Sequence, residues 1–335
     1  MERYVWELTR ELQGLGHRVS VICERCHVEK PRGITVYELG EIAPRPRWLS
    51  LLRFGRHVAR FLADHPSPHA VIHSHERLNS HHITTFHGPP FATVLDKPWW
   101  RLISLRIAMQ LFLERRELTS PRFVVPNSRF IKQSLVHYYP ELASKLTQPI
   151  VPGVVPGVLR EPRQVPPDGG IVGFVGKEWQ RKGLPWVVQV VAALRRTRPD
   201  VQLHVVGPAA DDVAHLFANW QGGYKLLGWS DQTRYPAFDV LLHPAKAEPY
   251  GMVISEAMAA KVPVVISDVC GAAAHVTAAS GAVLPLSASL EAWVDALNQQ
   301  LSRSEPVPPF ERSWRKVALE YEELYAAILN SRLNR

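Results

Sequence analysis

Short runs of β-branched and apolar residues alternate along this chain with stretches in which apolar positions recur every three or four residues. The short runs predict strands at 18–23, 34–38, 70–73, 83–86 and 123–125, and again at 171–175, 202–206, 240–243, 262–266 and 282–284. The periodic stretches predict helices, among them 2–15, 51–64, 100–118, 184–196, 290–301 and 310–330. Strand and helix in regular alternation call for parallel sheets covered by helices on both faces. Between the two groups of strands, residues 148–170 are dense in proline and poor in apolar side chains beyond valine, which reads as a linker between two α/β domains.

The pattern is irregular at its start. Val5, Leu8, Leu12 and Leu15 put a helix first, before any strand. A doubly wound fold expects a first strand and a tight glycine turn ahead of that helix, with that strand in the middle of the sheet. Its absence would leave two neighbouring strands with unpaired backbone groups, and suggests a start upstream of Met1 or a truncated copy.

One segment carries most of the chemistry: Ala247-Glu248-Pro249-Tyr250-Gly251-Met252-Val253-Ile254-Ser255-Glu256. It reads as a loop turning into a helix at Gly251, and a helix start offers free N–H groups and a positive dipole end to phosphate. Glu248 and Glu256 bracket that start. Carboxylates repel phosphate and instead accept hydrogen bonds from the hydroxyls of a sugar or ribose. The pattern thus suits a nucleotide diphosphate with a hydroxyl-rich group at each end. An alternative for Glu248 is a loop carboxylate that caps the helix. Arg181 and Lys182 precede a helix starting near Gly183, placed to neutralise a diphosphate leaving group, or else to form a solvated basic turn. His87 follows an apolar strand, at the end where open α/β sheets bind ligands; a histidine hydrogen-bonded at a turn is the alternative.

These stretches resemble the retaining nucleotide-sugar glycosyltransferases of family 4. The pair Glu248 and Glu256 is similar to that family's glutamate motif. Gly173–Lys177 with Arg181–Leu184 resembles the strand and basic loop of its donor domain. Thr84–Gly88 resembles its acceptor-domain histidine-glycine loop, and Val125–Ser128 its strand-to-helix signature. Residues 267–276 look more narrowly like lipopolysaccharide-core glucosyltransferases. The resemblance implies the GT-B fold, two Rossmann-like doubly wound domains facing across a cleft. It divides the chain into an acceptor-binding domain at 1–155, a nucleotide-sugar donor domain at 165–310, and a C-terminal helix at 311–335 crossing back to the first domain.

By the same resemblance, Glu248, His87 and Lys182 are catalytic, with His87 between the domains against the donor sugar. Lys177, Arg181, Lys182, Gly251, Met252, Val253 and Glu256 bind the donor, with Glu256 on the ribose. Lys177 stands where the family often has arginine and loses its bidentate fork. Lys261 stands where the family usually has glycine and reads as a tolerated surface change. The implied activity is metal-independent transfer of a hexose, with retention of configuration, from a nucleotide-diphosphate sugar such as UDP-glucose to a glycan or glycolipid acceptor of lipopolysaccharide core. No cofactor is required. A different acceptor, such as a capsular polysaccharide or a small metabolite, or a catalytically silent sugar-nucleotide-binding protein, remains open.

Composition narrows the setting. Net charge is +8 with a pI of about 9.5, which favours phosphate-bearing substrates or anionic lipid. The basic residues are scattered and no nucleic-acid-binding motif is present, so nucleic acid is not expected. Three cysteines make no disulfide framework and fit a reducing cytoplasm; Cys23 and Cys26 read as half-buried thiols. His73, His75, His81, His82 and His87 lack the carboxylate or cysteine partners of a metal site. Trp99 and Trp100, with Arg101 and Arg106 ahead of an apolar helix, suit a lipid–water interface, so the enzyme is expected at the inner face of the membrane. A buried helix with polar flanks is the competing reading.

Overall fold

The computed structural model describes residues 2–27, 29–30, 32–42, 45–155, 157–229 and 232–333. Met1, residue 156 of the expected linker and the last two positions of the expected C-terminal segment lie outside the described residues. The chain divides into two compact units: Met1–Gly153 with Ser313–Arg335, and Val154–Arg312.

In the first unit, β1 (Val19–Cys23) pairs in parallel with β2 (Ile34–Glu38), and β3 (His73–Ser74), β4 (Ile83–Phe86) and β5 (Phe123–Pro126) form a second parallel sheet. The helices are α1 (Glu2–Gly14), α2 (Arg47–Asp64), α3 (Leu105–Thr119), α4 (Arg129–Tyr138) and the C-terminal helix Trp314–Leu333. Every residue of β4 is buried, as expected of a strand covered on both faces. In α1, Tyr4, Leu8 and Leu12 recur every four residues and bury one face. A polar relay ties this unit together. Tyr4 and Tyr321 hydroxyls lie 2.9 Å apart, Tyr321 and Thr85 hydroxyls 2.6 Å, and His73 bridges Thr85 and Tyr325, each at 2.7 Å. Among the described residues β1 pairs only with β2 and β3 only with β4, so the strands stand as two sheets rather than one. That is the division expected where a central strand does not intervene.

Three local expectations are corrected. The strand expected at 70–73 is reduced to His73–Ser74, because the Ile72 N–H donates to the His82 side chain at 2.8 Å. The helix expected at 100–118 begins only at Leu105. Trp99–Arg101 forms a separate 3-10 turn, and Ser104 is extended at φ −155°. The competing reading of a buried helix also fails at its start: Trp99, Trp100, Ile103 and Leu105 are 70%, 62%, 76% and 69% exposed.

In the second unit, β6 (Gly169–Val175), β7 (Asp200–Val206), β8 (Tyr224–Leu226), β9 (Val240–His243), β10 (Val264–Ser267) and β11 (Gly281–Leu284) make one sheet, parallel throughout. Its order is β11-β10-β9-β6-β7-β8. β8, three residues after a Gly-Gly pair at the sheet edge, is too short to show in the sequence pattern. Around the sheet lie α5 (Leu184–Leu194), α6 (Ala210–Val213), α7 (Met252–Ala259) and α8 (Leu290–Leu301). Phe174, Val187, Leu203, Phe217, Trp293 and Leu297 build the core. The strand order reverses between β6 and β9, and in open α/β sheets the crevice at such a point, outside the carboxyl ends of the strands, is where ligands bind.

Candidate active site

The loops that leave β6 and β9 flank that crevice, and the sequence packs them directly against each other. Gly183, the N-cap of α5, sits at φ 84°, and a Cβ there would lie 2.2 Å from the Pro244 carbonyl oxygen. Only glycine allows this approach. The Lys246 N–H then donates to the Arg181 carbonyl at 2.9 Å. A third loop, after β10, braces the second. Gly271 N–H donates to the Glu248 carbonyl at 2.9 Å, Ala272 N–H to that of Tyr250 at 2.7 Å, and the Ser267 hydroxyl to that of Ala245 at 2.6 Å.

Glu248 is the centre of the arrangement. It is 7% exposed, and its Oε2 lies 3.2 Å from Lys182 Nζ, 3.5 Å from His243 Nε2 and 3.6 Å from an Arg181 guanidinium nitrogen. Burial alone would push this carboxyl up. The His243 ring and the Lys182 and Arg181 charges outweigh it and hold the group at about 2, so it stays ionised at neutral pH. His243 is fully buried at the end of β9, and burial lowers its pKa, so the ring meets Glu248 in its neutral form. Arg181 is further held by Glu178, at 2.6 Å, and by the Ala247 carbonyl.

Three residues beyond Glu248, Gly251 at φ 94° turns the chain into α7. No side chain caps this helix, which removes the capping role considered for Glu248. The first-turn amides of Met252 and Val253 therefore have no intrahelical acceptor, and both residues are half-buried rather than covered. Glu256 lies one turn into α7, and its Oε2 accepts a hydrogen bond from the buried Tyr235 hydroxyl at 2.6 Å. Lys177 stands apart from the Glu248 cluster: its ammonium lies 5.6 Å from the centroid of the exposed Trp229 ring.

In the first unit, His87 follows β4, and its Nε2 is 2.8 Å from His75 Nδ1. The Tyr4 ring meets it edge-on at 4.8 Å, and Asn127 donates to its carbonyl at 3.1 Å. Burial first, then neighbouring His75, holds His87 well below the ordinary histidine range, so it is neutral at pH 7. His75, Arg77, His87 and Glu117 line a cavity of about 130 Å³. Burial pushes the Glu117 carboxyl up to about 8. Among the described residues, no three His, Cys, Asp or Glu side chains converge in a way that could hold a metal ion.

The structure thus gathers Glu248, Lys182 and Arg181 in the second unit, with Gly251, Met252, Val253 and Glu256 on the adjoining turn and helix. It leaves Lys177 outside that cluster and sets His87 in the first unit. Sequence reasoning missed His243 and Tyr235. A histidine closing an otherwise apolar strand and followed by proline is the signal that could have found the first. Tyr235 lies 21 residues from its partner Glu256, with nothing local to mark it.

This architecture is that of the GT-B glycosyltransferases. Two family models match in tandem: Glycosyltransferase Family 4 over residues 1–156 and Glycosyl transferases group 1 over residues 169–303. The chain belongs to glycosyltransferase family 4. It is 28% identical over 189 residues to the D-inositol 3-phosphate glycosyltransferase of Corynebacterium urealyticum, covering 49% of this chain and 44% of that protein. It is 30% identical over 162 residues to the lipopolysaccharide glucosyltransferase WaaG of Escherichia coli K12, covering 45% of this chain and 42% of that protein. The matched region therefore spans less than half the length of these relatives. The crystal structure of WaaG, a glycosyltransferase involved in lipopolysaccharide biosynthesis, superposes with a TM-score of 0.73 at 18% identity over 98% of this chain and 94% of that one. Sucrose-phosphate synthase from Thermosynechococcus elongatus gives 0.72 at 19% identity over 98% and 93%. At such identities the superpositions speak for the fold alone.

Proposed function

We propose that this protein transfers a hexose from a nucleotide-diphosphate sugar to a glycan acceptor, with retention of configuration and without a metal ion. The observation that carries the reading is the meeting of Lys182 and Arg181 on Glu248, beside the uncapped start of α7, at the point where the strand order reverses. Two positive side chains and two free amides supply the charge stabilisation that a departing nucleotide diphosphate requires. In this reading the diphosphate takes Lys182 and Arg181 from Glu248. The released carboxylate then accepts hydrogen bonds from the sugar and faces the positive charge that develops at its anomeric carbon. Glu256, oriented by Tyr235, serves the ribose. His87, neutral, offers a hydrogen bond rather than a charge. The acceptor hydroxyl attacks the anomeric carbon from the face the leaving group departs; the bond from that carbon to the diphosphate oxygen breaks, and that departing oxygen takes the hydroxyl proton, giving retention.

Lipopolysaccharide core is the acceptor we favour, supported by the similarity to WaaG and to a lipopolysaccharide core glycosyltransferase from Rhizobium meliloti, 34% identical over 119 residues. The exposed Trp99, Trp100, Ile103 and Leu105, with Lys97 and Arg106 beside them, support docking on an anionic membrane where such an acceptor resides. No described helix is long and apolar enough to cross a membrane. The test is a panel of nucleotide sugars, UDP-glucose included, scored for thermal stabilisation and then for turnover. NMR of the product anomeric centre follows. An inverted product, or turnover that requires a divalent ion, refutes the mechanism.

A second reading, a sugar-nucleotide-binding protein without turnover, is favoured by the division of the first unit's strands into two sheets. Donor binding with no transfer to any acceptor and no hydrolysis would select it.

A further inference from the structure

At the amino ends of β4 and β5, away from the strand ends that carry His87, the first unit holds a groove of about 510 Å³. His82, Arg122, Lys145 and Arg332 line it, with Pro121 and Ile328 as apolar wall. Among the described residues none of the three cations pairs with a carboxylate. Arg122 makes no side-chain hydrogen bond among the described residues, and its guanidinium lies 5.4 Å from the centroid of the Phe123 ring. Lys145 donates to the Thr119 carbonyl, and Arg332 to those of Pro68 and Ala70 at 3.3 and 3.0 Å. Neutral carbonyls fix these side chains without cancelling their charge.

His82 sharpens the picture. Its Nδ1 accepts the Ile72 N–H, which puts the ring proton on Nε2, and Nε2 faces the Arg332 guanidinium. The Arg332 guanidinium and the His82 ring thus meet directly at the wall of the groove. Burial first, then the Arg332 charge, lowers the His82 pKa to about 4. Burial of His81, with Lys145 and Arg116 among the nearby cations, does the same there. The charged side chains that lower these two values, Arg332 at His82 and Arg116 and Lys145 at His81, are positive.

We propose that this groove binds a small soluble phosphorylated ligand, whose phosphate oxygens accept from Arg122, Lys145, Arg332 and the His82 Nε2–H while its remainder lies against Ile328 and Pro121. The volume falls within the range of small-molecule sites, and guanidinium forks match phosphate oxygens. Nothing in the transfer reaction uses these residues, so the site is separate from the donor loops and acts alongside them.

The probe is inorganic pyrophosphate, titrated calorimetrically into the full chain carrying Arg181→Met and Lys182→Met, so that the donor loops cannot hold it. Binding is expected there, weakened at least tenfold by adding Arg122→Gln and Lys145→Gln, and retained by the charge-preserving Arg122→Lys and Lys145→Arg. In the otherwise wild-type chain, Arg122→Gln with Lys145→Gln should leave the melting temperature and nucleotide-sugar turnover close to wild type. No binding to the donor-loop variant, or binding indifferent to the groove substitutions, overturns the proposal. So does a groove substitution that weakens adhesion to phosphatidic-acid vesicles while pyrophosphate affinity is unchanged, since the phosphate recognised would then be that of a lipid.

Discussion

Replacing Lys182 by methionine tests how the donor loops work. The substitution keeps most of the side chain's apolar length and removes the ammonium 3.2 Å from Glu248 Oε2. At that distance, with an effective dielectric of 20, the pair attracts by about 5 kcal/mol before desolvation is counted. Removing one member of a buried pair generally destabilises by about 3–5 kcal/mol. Here Arg181 and His243 still face the same oxygen, at 3.6 and 3.5 Å. The loss of stability should therefore be smaller, about 1–3 kcal/mol, the usual cost of depriving a buried polar group of one partner. Donor affinity should suffer more. A charge-assisted contact to a phosphate is worth about 1.5–3 kcal/mol, so the dissociation constant for the nucleotide-diphosphate sugar should rise about 10- to 150-fold. Calorimetric titration of wild type, Lys182→Met and Lys182→Arg measures this, with the arginine variant recovering part of the loss. If Lys182→Met binds donor within threefold of wild type while folding normally, Lys182 does not touch the diphosphate and the assignment of these loops is wrong.

Further predictions follow from the same geometry. Glu248→Gln should lower kcat by about 10²–10³ with little change in donor affinity, as seen in initial rates against donor concentration; weaker donor binding with kcat unchanged would mean a binding role only. Glu248 has its folded carboxyl lowered to about 2 from an ordinary 4.5, so the stability it contributes is present above pH 4.5 and lost as pH falls towards 2. The difference in urea stability between wild type and Glu248→Gln should therefore shrink across that window, and a constant difference would contradict the pairing. Lys261 adopts φ 61°, a left-handed conformation that disfavours any side chain, so Lys261→Gly should stabilise the second unit by about 1 kcal/mol in chemical denaturation; destabilisation would show that the side chain matters more than the backbone. Trp99→Ser with Trp100→Ser should abolish cosedimentation with anionic liposomes, and wild type that fails to bind them would end the membrane proposal.

How much of this was legible follows physical lines. The α/β alternation and most strands read clearly because buried parallel strands are continuous apolar runs, as in Val264–Ser267 and Val240–His243. Boundaries failed where a side chain competed with the backbone, as His82 does at Ile72, or where a polar residue such as Ser104 interrupts an apolar stretch. The donor loops were visible because glycine and carboxylate at fixed spacing around a helix start have a local meaning. What pairs with those residues was not. The pairing of Tyr235 with Glu256 and of His243 with Glu248 arises from strand order and from contacts that the sequence pattern does not spell out, whereas the two-sheet division of the first unit follows the helix-first start of the chain. Lys261, read as a tolerated surface change, proves to be half-buried and left-handed, which explains the glycine usual at that place.

Every role assigned to the donor-loop residues requires that a nucleotide diphosphate be gripped by the loops following β6 and β9. A crystal structure of the chain soaked with its best-stabilising nucleotide sugar tests it most directly. Diphosphate oxygens should lie on the Met252 and Val253 amides, with Lys182 and Arg181 swung from Glu248 onto the phosphates and the Glu248 carboxylate on a sugar hydroxyl. Nucleotide bound elsewhere, with Lys182 still paired to Glu248, would contradict it.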